Sequence, residues 1–572
     1  MPTLRQILLA AVKSLLRGKS LLAALLALWT GASQLSQGPR SASASDSDSR
    51  PKLDDTAPAP PAEPRPSRTP DDFLGEFDEL FLRPTEGAAL AHLAQMLKAQ
   101  FQDGLLTNPA CMLPSYNHQL PSRSEHGRYL ALDVGGSTLR VAVVQLRGRD
   151  ADGSASRIVR QDSFKIDRAV KDLEGLAFFD WVAQKIVSTV SAARGPEHQD
   201  PHLGSTGPLF MGLAWSFPIE QTSLKGGKLQ SMGKGFRACA TLLGQDLGDI
   251  IKAACHARGL DVELAAIVND STAALLSEAY LNSSTRFSLI LGTGVNIAVH
   301  LPVATVGRAK FGDRPATWFD KASHVIVNTE LGMFGKGILP ITRWDEALNA
   351  AHAKPDFQPL EHLVSGCYLG EMCRLALVEA VATTGVLGGL VPPSLKVPYS
   401  LDTETISFIS GESPESSLAL FKARHPQSST PSTSSSSPPP PTPPEINKQD
   451  ILFIRRLASS ISQRSSAIIA ACIFALWQFK IEAEAASVSD LENDAGAAAA
   501  REELSLDKHV VAFNGSVIEC YPGYLQNLQD YLDQLITAAG GSAGTISLVG
   551  AKESSLLGAA VALACLEEGK AN

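Results

Sequence analysis

The chain has 572 residues, of which 44% are hydrophobic and 19% are charged, and its net charge is −9. This length is enough for two or three packed units, and the composition is that of a globular protein. No long basic stripe lies beyond the first fifty residues, so nucleic acid is excluded as an expected partner. The eight cysteines form no CxxC pair, which argues against a zinc site or a disulfide framework.

The amino-terminal segment, residues 1–36, differs from the rest of the chain. It contains basic residues but no acidic ones, and its stretch Ser20–Ala32 is almost wholly apolar. Such a start is typical of a mitochondrial targeting or outer-membrane anchor segment, with a secretory signal or a helix packed on the body as alternatives. We therefore predict a cytoplasmic protein attached through its N-terminus to the mitochondrial outer membrane. The sequence indicates no oligomeric state.

Three segments of biased composition divide the remaining chain. Residues 37–70 are rich in Ser, Asp, Pro and Ala and are predicted to be a disordered linker. The polyproline-like tract in 424–447 and the acidic, Ala-rich segment 482–505 are predicted to be loops inserted into a folded domain. Between them, Ala467–Phe479 is apolar but short for a membrane span, so we expect a buried helix.

Strand-like and helix-like segments alternate along the body, which predicts an α/β architecture. Helices are expected at Leu242–Arg258 and Leu360–Thr383, among others. The predicted strands are Tyr129–Asp133, Leu139–Leu146, Leu209–Phe217, Ala265–Val268, Ser288–Leu291, Asn296–Leu301, Val325–Asn328, Val510–Phe513 and Ile546–Val549.

Two of these regions, Tyr129–Leu146 and Ser288–Leu301, share one pattern: an apolar strand, a Gly-containing turn and a second apolar strand. Glycine lets backbone N–H groups approach phosphate oxygens, and a tight turn aims several of them at one anion. The pair of segments favours two related lobes that each offer a turn to one phosphate chain. Either segment alone would more often be an ordinary hairpin.

An ordered series of motifs connects the two turns. It contains Ser216-Phe217-Pro218, Gln221 to Leu224, Lys234-Gly235-Phe236 and Asn269-Asp270-Ser271, together with MLPSY, NTELGMFG, LEHLVSGCYLGEMCR and FNGSVIECYPGY. In these motifs the sequence resembles the hexokinase family, from about Asp71 to Leu566. The resemblance implies a two-lobed actin-like ATPase (ribonuclease H-like) fold of the hexokinase type.

The same resemblance implies the division of the body into lobes. Residues 71–280 would be the N-terminal part, with a small lobe formed mainly by 128–268. Residues 281–566 would be the C-terminal part and form the large lobe.

The implied activity is ATP-dependent phosphorylation of a hexose at its 6-hydroxyl, the first step of glycolysis. Asp270 matches the family's catalytic base, with Lys234 beside it, and a positioned base typically contributes about 10²–10⁴ in rate. Without the resemblance, an Asn-Asp pair before a helix would more often be a simple cap.

By resemblance, the hexose contacts are Ser216, Lys234, Asn269, Asp270, Asn296, Glu330 and Glu361. The ATP contacts are Asp133, Gly135, Gly136, Ser137, Thr138 and Arg140 in the first turn, Gly292, Thr293 and Gly294 in the second, and Gly515, Ser516 and Ser555 at the adenosine end. Asp133 is the carboxylate expected to face Mg²⁺, through water, because Mg²⁺ keeps much of its hydration.

The chain departs from the family pattern mainly in the late nucleotide loop, where Ser554, Ser555 and Leu556 replace Gly-Ser-Gly. If the second glycine has a positive φ or touches the nucleotide, leucine costs about 1–2 kcal/mol there. Gly233 also replaces a threonine before Lys234.

Two hypotheses follow from this mixture of retained and altered motifs: a working hexokinase, or a hexokinase-like regulator that senses sugar with little or no turnover. A chaperone or cytoskeletal ATPase of the same fold is a third, but the sugar-binding set has no role there.

Overall fold

The computed structural model describes residues 68–148, 154–194, 207–233, 235–427, 445–489 and 494–571. They belong to one compact unit, Pro66–Asn572. The predicted anchor, nearly all of the predicted linker, the centre of the polyproline tract and Lys234 lie outside the described residues.

The described part of the chain is mixed α/β, which confirms the predicted class. Its strands are β1 Leu113–Pro114, β2 His126–Val134, β3 Thr138–Arg147, β4 Ser156–Lys165, β5 Leu209–Trp215, β6 Ile219–Gln221, β7 Gly227–Leu229, β8 Val262–Val268, β9 Thr285–Leu291, β10 Val295–Pro302, β11 His324–Asn328, β12 His509–Asn514 and β13 Ile546–Gly550. Its α-helices are α1 Pro70–Phe81, α2 Gly87–Leu106, α3 Arg168–Lys171, α4 Leu176–Ala193, α5 Leu247–His256, α6 Asp270–Leu281, α7 Ala316–Lys321, α8 Arg343–Ala351, α9 Pro359–Val364, α10 Leu369–Thr384, α11 Thr403–Gly411, α12 Pro414–Arg424, α13 Lys448–Val488, α14 Asp494–Leu504, α15 Ser516–Cys520, α16 Tyr524–Ala538 and α17 Ser554–Ala571.

Two larger sheets carry the fold. The five-stranded sheet has the order β4-β3-β2-β5-β8, and the six-stranded sheet has the order β1-β11-β10-β9-β12-β13. Each contains an antiparallel hairpin, β2–β3 or β9–β10, whose first strand also pairs in parallel with a later strand. The glycine turns of the sequence are the turns of these two hairpins, so the repeated pattern corresponds to repeated topology.

The final helix, α17, joins the two sheets through a shared core. It packs against β2, β5 and α6, and the core that they form also includes Ala298 and Ile326 of the six-stranded sheet. A Cβ atom on Gly558 would lie 2.0 Å from the carbonyl oxygen of Ala273, and one on Gly212 would lie 2.2 Å from that of Ala559. Glycine at both positions is therefore what lets α17 approach α6 and the sheet.

The longest helix of the described residues, α13, runs through the hydrophobic core that also contains residues of β9, β10 and β11. Among the described residues, it is the one helix long and apolar enough to span a membrane, and 72% of its most apolar window is buried inside the body. The apolar stretch Ala467–Phe479 is the middle of this helix, so the prediction of a buried helix there is confirmed.

The segment 482–505, predicted to be an irregular loop, is mostly helical. Its first residues continue α13 to Val488, and Asp494–Leu504 form α14. Two of its acidic residues, Glu484 and Glu503, are buried, and both pair with the same buried lysine. Lys480 Nζ lies 2.5 Å from Glu484 and 3.0 Å from Glu503. The acidic composition of this segment suggested a surface loop. The cations that neutralise the buried carboxylates contact them only in the folded core, so the composition of the segment alone does not reveal them.

The helix predicted over Leu360–Thr383 is interrupted. It forms α9 and α10, separated by Ser365 to Tyr368. Gly366 and Cys367 in this break donate hydrogen bonds to the carbonyl oxygens of the second glycine turn, so the interruption belongs to the site described next.

Candidate active site

The site is built at the ends of strands from both sheets. Asp270 follows β8 of the five-stranded sheet and is the first residue of α6. Its neighbour Asn269 is the helix cap and accepts a hydrogen bond from Thr272 N at 2.9 Å, while Asp270 Oδ1 accepts one from Ser271 N at 2.7 Å. Capping is thus performed by Asn269, and the half-buried Asp270 carboxylate lies at the positive end of the helix dipole.

A chain of amides orients the acidic residue after β11. Asn296 Nδ2 donates to Asn328 Oδ1 at 2.7 Å, and Asn328 Nδ2 donates to Glu330 Oε1 at 2.8 Å. Asn328 was not among the predicted site residues. Its position at the end of a strand, two residues before Glu330, was the signal available in the sequence.

The Glu330 backbone is left-handed, with φ 52° and ψ 53°, which is uncommon for a residue other than glycine. Burial raises the pKa of its carboxyl group, the hydrogen bond from Asn328 opposes that rise, and the negative charge of Asp270 adds to it. The charge of Asp270, at the end of β8, therefore acts on the carboxyl group of Glu330, which follows β11 of the other sheet.

Glu361, on α9, lies against the second glycine turn. Its Oε2 atom accepts a hydrogen bond from Val295 N at 3.1 Å. A Cβ atom on Gly294 would lie 2.9 Å from the same oxygen and displace it. A glycine at 294 thus allows a predicted hexose ligand to contact the predicted phosphate turn directly.

The second turn itself is held by three backbone hydrogen bonds, two of them from the segment Gly366–Cys367. Gly292 N donates to Gly294 O at 3.0 Å, Gly366 N donates to Gly292 O at 2.7 Å, and Cys367 N donates to Thr293 O at 3.2 Å. The Gly366–Cys367 contact was not predicted as part of the site, although it lies within a motif that carries the family resemblance.

The predicted adenosine-end residues Gly515 and Ser516 also lie against the second turn. Gly515 has a φ of 132°, and a Cβ atom on it would lie 2.3 Å from the carbonyl oxygen of Leu291. A Cβ atom on Gly292 would contact Ser516 N at 3.4 Å. Only glycine fits at 515, and this close approach places the start of α15 beside the turn.

The first glycine turn, Gly135 to Ser137, joins β2 to β3. Gly135 N donates to Thr138 O at 3.0 Å and closes the turn. Asp133, the last buried polar residue of β2, accepts hydrogen bonds at Oδ2 from the Arg140 guanidinium, with Nε at 2.9 Å. Burial raises the pKa of Asp133, and Arg140 opposes the rise. The turn also includes Gly136 between Gly135 and the exposed Ser137.

The late nucleotide loop differs from expectation at Leu556. This side chain is fully buried in the core between α17, α6 and the five-stranded sheet, and its φ is not positive. The left-handed residue is instead Glu553, with φ 49°, just before α17. The positive-φ condition for the expected penalty at Leu556 is therefore not met, and Ser555 is half-buried near the start of the helix.

Ser216 lies next to the first turn, and its N–H donates to Val134 O at 3.2 Å. Lys234 itself is outside the described residues, but the loop that carries it is anchored nearby. Phe236 packs edge-on against Phe217, with ring centroids 5.0 Å apart.

Solved structures establish the class of fold. A hexokinase from Schistosoma mansoni, in complex with glucose, matches with a TM-score of 0.65 and 22% identity over 87% of this chain and 100% of the matched chain. A second hexokinase structure matches with a TM-score of 0.64 and 24% identity over 86% of this chain and 100% of its own. The chain has the two-lobed actin-like ATPase fold, as predicted.

The family follows from sequence. Two family models described as Hexokinase match residues 82–280 and 286–565, and the chain belongs to the hexokinase family. Hexokinase-9 of Oryza sativa subsp. japonica is 32% identical over 336 residues, which cover 58% of this chain and 63% of the rice protein. Hexokinase-1 of Schizosaccharomyces pombe is 27% identical over 514 residues, covering 88% and 93%. The match to the rice protein thus spans less than two thirds of its length.

Proposed function

We propose that this protein transfers the terminal phosphoryl group of Mg-ATP to the 6-hydroxyl of a hexose such as glucose, as the first step of glycolysis. The observations that carry the proposal are the Asn296–Asn328–Glu330 hydrogen-bond chain at one sheet and the position of Asp270 at the end of β8 of the other, where its charge acts on Glu330. Family membership supports sugar phosphorylation. The site residues are proposed to act as the general base, the sugar ligands and the nucleotide ligands.

Asp270 is the proposed general base. Phosphoryl transfer depends mainly on positioning and electrostatic stabilisation, so the base must be oriented and ionised before the sugar arrives. The Ser271 N–H and the N-terminus of α6 meet both requirements. The carboxylate accepts the hydroxyl proton as the oxygen attacks phosphorus, and Lys234 is proposed to assist.

The hexose is proposed to bind through Ser216, Asn269, Asn296, Glu330 and Glu361. The amide chain from Asn296 through Asn328 to Glu330 fixes the orientation of one carboxylate before binding. Glu361 is fixed by Val295 N. Oriented acceptors discriminate between sugars, because a site built to pair with a hydroxyl penalises an analogue that lacks it.

Mg-ATP is proposed to bind across the two glycine turns. Backbone N–H groups near Gly135 and Gly294 would donate hydrogen bonds to phosphate oxygens. Arg140 places a positive charge beside the first turn. Asp133 is proposed to face Mg²⁺ through water. Gly515 and Ser516 would contact the adenosine end, because they lie against the second turn.

The test couples product formation to separate measurements of binding. Asp270→Ala should reduce kcat with glucose and ATP by at least about 10²-fold. Glucose binding should persist, followed by tryptophan fluorescence, for which Trp215 beside Ser216 is a suitable reporter. Undiminished turnover in Asp270→Ala would remove Asp270 from the mechanism.

A sugar-responsive regulator with weak turnover is the second candidate. It is favoured by the Arg140 guanidinium, which is shared between Asp133 and Glu553 instead of being available to a phosphate chain. Glucose binding without glucose 6-phosphate formation in the unaltered protein would support this candidate and exclude the enzyme.

Attachment to the mitochondrial outer membrane through residues 1–36 is a separate proposal, supported by the basic, acid-free and apolar composition of that segment. Met1–Arg50 fused to a fluorescent reporter should label mitochondria. The same fusion with Arg5, Lys13, Arg17 and Lys19 replaced by serine is the matched control. A diffuse signal from the first fusion would refute the anchor.

A further inference from the structure

Glu553 makes an ion pair with Arg140 of β3, three residues after the first glycine turn. Arg140 Nη1 donates to Glu553 Oε2 at 3.0 Å, while the rest of the same guanidinium binds Asp133. Two carboxylates thus share one cation beside the predicted phosphate site. The local charge of this group of three is −1, which opposes the approach of a polyanion.

The position of Glu553 is fixed by its backbone. The preceding link leaves β13 and is tied to β12 by two hydrogen bonds: Ala551 N donates to Phe513 O at 2.8 Å, and Asn514 Nδ2 donates to Ala551 O at 3.1 Å. On its other side, Leu557 N donates to Glu553 O at 3.0 Å as α17 begins. The residue is held in a left-handed conformation that a side-chain-bearing residue adopts only when its surroundings impose it.

The three charged groups differ in exposure. The Asp133 side chain is 10% exposed, whereas those of Arg140 and Glu553 are 29% and 45% exposed. Asp133 is therefore an enclosed part of β2, and Glu553 reaches Arg140 from the solvent side. A phosphate group that approached Arg140 from solvent would find Nη1 of the guanidinium already bound to Glu553.

We propose that Glu553 is an affinity-lowering residue of the nucleotide site, whose carboxylate competes with nucleoside triphosphate oxygens for Arg140 Nη1. This inference rests on the proposed nucleotide site, and it assigns a role to a residue outside the predicted contacts. The competition is electrostatic, so its strength depends on the ligand's charge and on ionic strength. Glu553 acts through Arg140 and is not a catalytic residue.

The test compares nucleotide dissociation constants, measured calorimetrically, in the full-length protein and in Glu553→Gln. At about 50 mM salt, Glu553→Gln should bind Mg-ATP roughly two- to five-fold more tightly, the size expected for one partly exposed charge pair. The gain should shrink at about 0.5 M salt, where the Debye length is only a few ångströms. The Kd of adenosine, which has no phosphate, and the Kd of glucose should not change.

Two further variants make the result specific. Glu79→Gln breaks a surface Arg–Glu pair of 2.8 Å on α1 and should leave every Kd unchanged. In an Arg140→Ala background, Glu553→Gln should give no gain, because the competed group is gone. Equal or weaker Mg-ATP binding by Glu553→Gln, or an equal gain for adenosine, would overturn the proposal.

The outcomes separate this inference from the proposed activity. Normal glucose phosphorylation with no gain in Glu553→Gln leaves the kinase standing and removes the role of Glu553. Tighter Mg-ATP binding in Glu553→Gln without sugar phosphate formation in any variant supports the role of Glu553 and removes the kinase.

Discussion

Asp270 and Glu330 come from opposite sheets, yet the charge of Asp270 contributes to the raised pKa of Glu330, whose largest cause is burial. The pair links the end of β8 to the end of β11 across the site. The proposed reaction needs both carboxyl groups ionised, and two negative charges that act on each other lower the stability of the folded protein. A substitution at Glu330 can measure both the lost stability and the gained sugar binding.

Glu330→Gln should weaken glucose binding roughly ten- to hundred-fold, because a hydrogen bond to a charged group contributes about 1.5–3 kcal/mol. The same variant should be more stable than the unaltered protein at pH 7 in the absence of sugar. A carboxyl group whose pKa is raised by folding contributes stability at low pH and loses it as the pH rises through the folded-state pKa.

The stability difference in favour of Glu330→Gln should therefore grow from about pH 4.5 upward, which urea unfolding at several pH values will show. Glu346→Gln, at an exposed position on α8, is the control. A variant less stable than the parent at pH 7 would contradict the account of Glu330.

Leu556→Gly, which restores the family's glycine, should not improve Mg-ATP binding. Leu556 is completely buried beside α6, so its removal leaves a cavity and costs about 2–5 kcal/mol, with about 1 kcal/mol more for glycine in a helix. Thermal unfolding and calorimetric titration measure the two effects. Leu525→Ala, at an exposed position on α16, should be nearly neutral in both. Tighter nucleotide binding by Leu556→Gly would mean that this side chain acts in the nucleotide site after all.

The elements that the sequence predicted well are those with local signals. The nine predicted strands are present because each is an apolar run bounded by turn residues, and the two glycine turns could be located for the same reason. Asp270, Asn296, Glu330 and Glu361 could be proposed from ordered motifs. The structure adds that Asn328 joins Asn296 to Glu330 and that Glu361 lies against the second glycine turn.

The features that could not be predicted depend on partners distant in sequence. Arg286 and Glu503 are 217 residues apart, and their 2.6 Å ion pair converts a segment that reads as a surface loop into part of the core. Arg140 and Glu553 are 413 residues apart. The direction of Leu556 likewise depends on how α17 packs on α6, which no local pattern specifies.

The buried ion cluster predicts a large effect at Lys480. This fully buried cation lies between Glu484 and Glu503, so Lys480→Met leaves two buried carboxylates without their shared partner and should cost about 3–5 kcal/mol. Lys228→Met, which breaks an exposed pair with Glu220, should cost at most about 1 kcal/mol. Urea unfolding distinguishes the two. Equal small losses would show that the cluster contributes no more than a surface pair.

Buried histidines predict the pH range in which the body loses stability. Burial, aided by the charge of Lys480, lowers the pKa of His509 to about 4, and burial lowers that of His362 to about 4 as well. His509 Nδ1 accepts a hydrogen bond from Trp477 Nε1 at 3.3 Å, which requires that nitrogen to be unprotonated. Below its ordinary pKa of about 6.5 the unfolded chain binds a proton that the folded protein excludes, so stability falls as the pH drops from about 6.5 toward 4.

His509→Asn keeps an acceptor for Trp477 and removes the titrating group, so its unfolding free energy should depend less steeply on pH between 5 and 7. Glu503 does not titrate in this pH window. Burial opposes the ionisation of Glu503, but Lys480 and Arg286 hold its pKa well below the ordinary value. The stability that the ionised Glu503 contributes is therefore lost only at lower pH. His256→Asn, at an exposed position in the last turn of α5, should retain the parent's slope. Because a pKa difference of one unit corresponds to about 1.4 kcal/mol, the change in slope is large enough to measure. An unchanged slope in His509→Asn would show that this histidine binds protons equally in the folded and unfolded chain, which would contradict the lowered pKa.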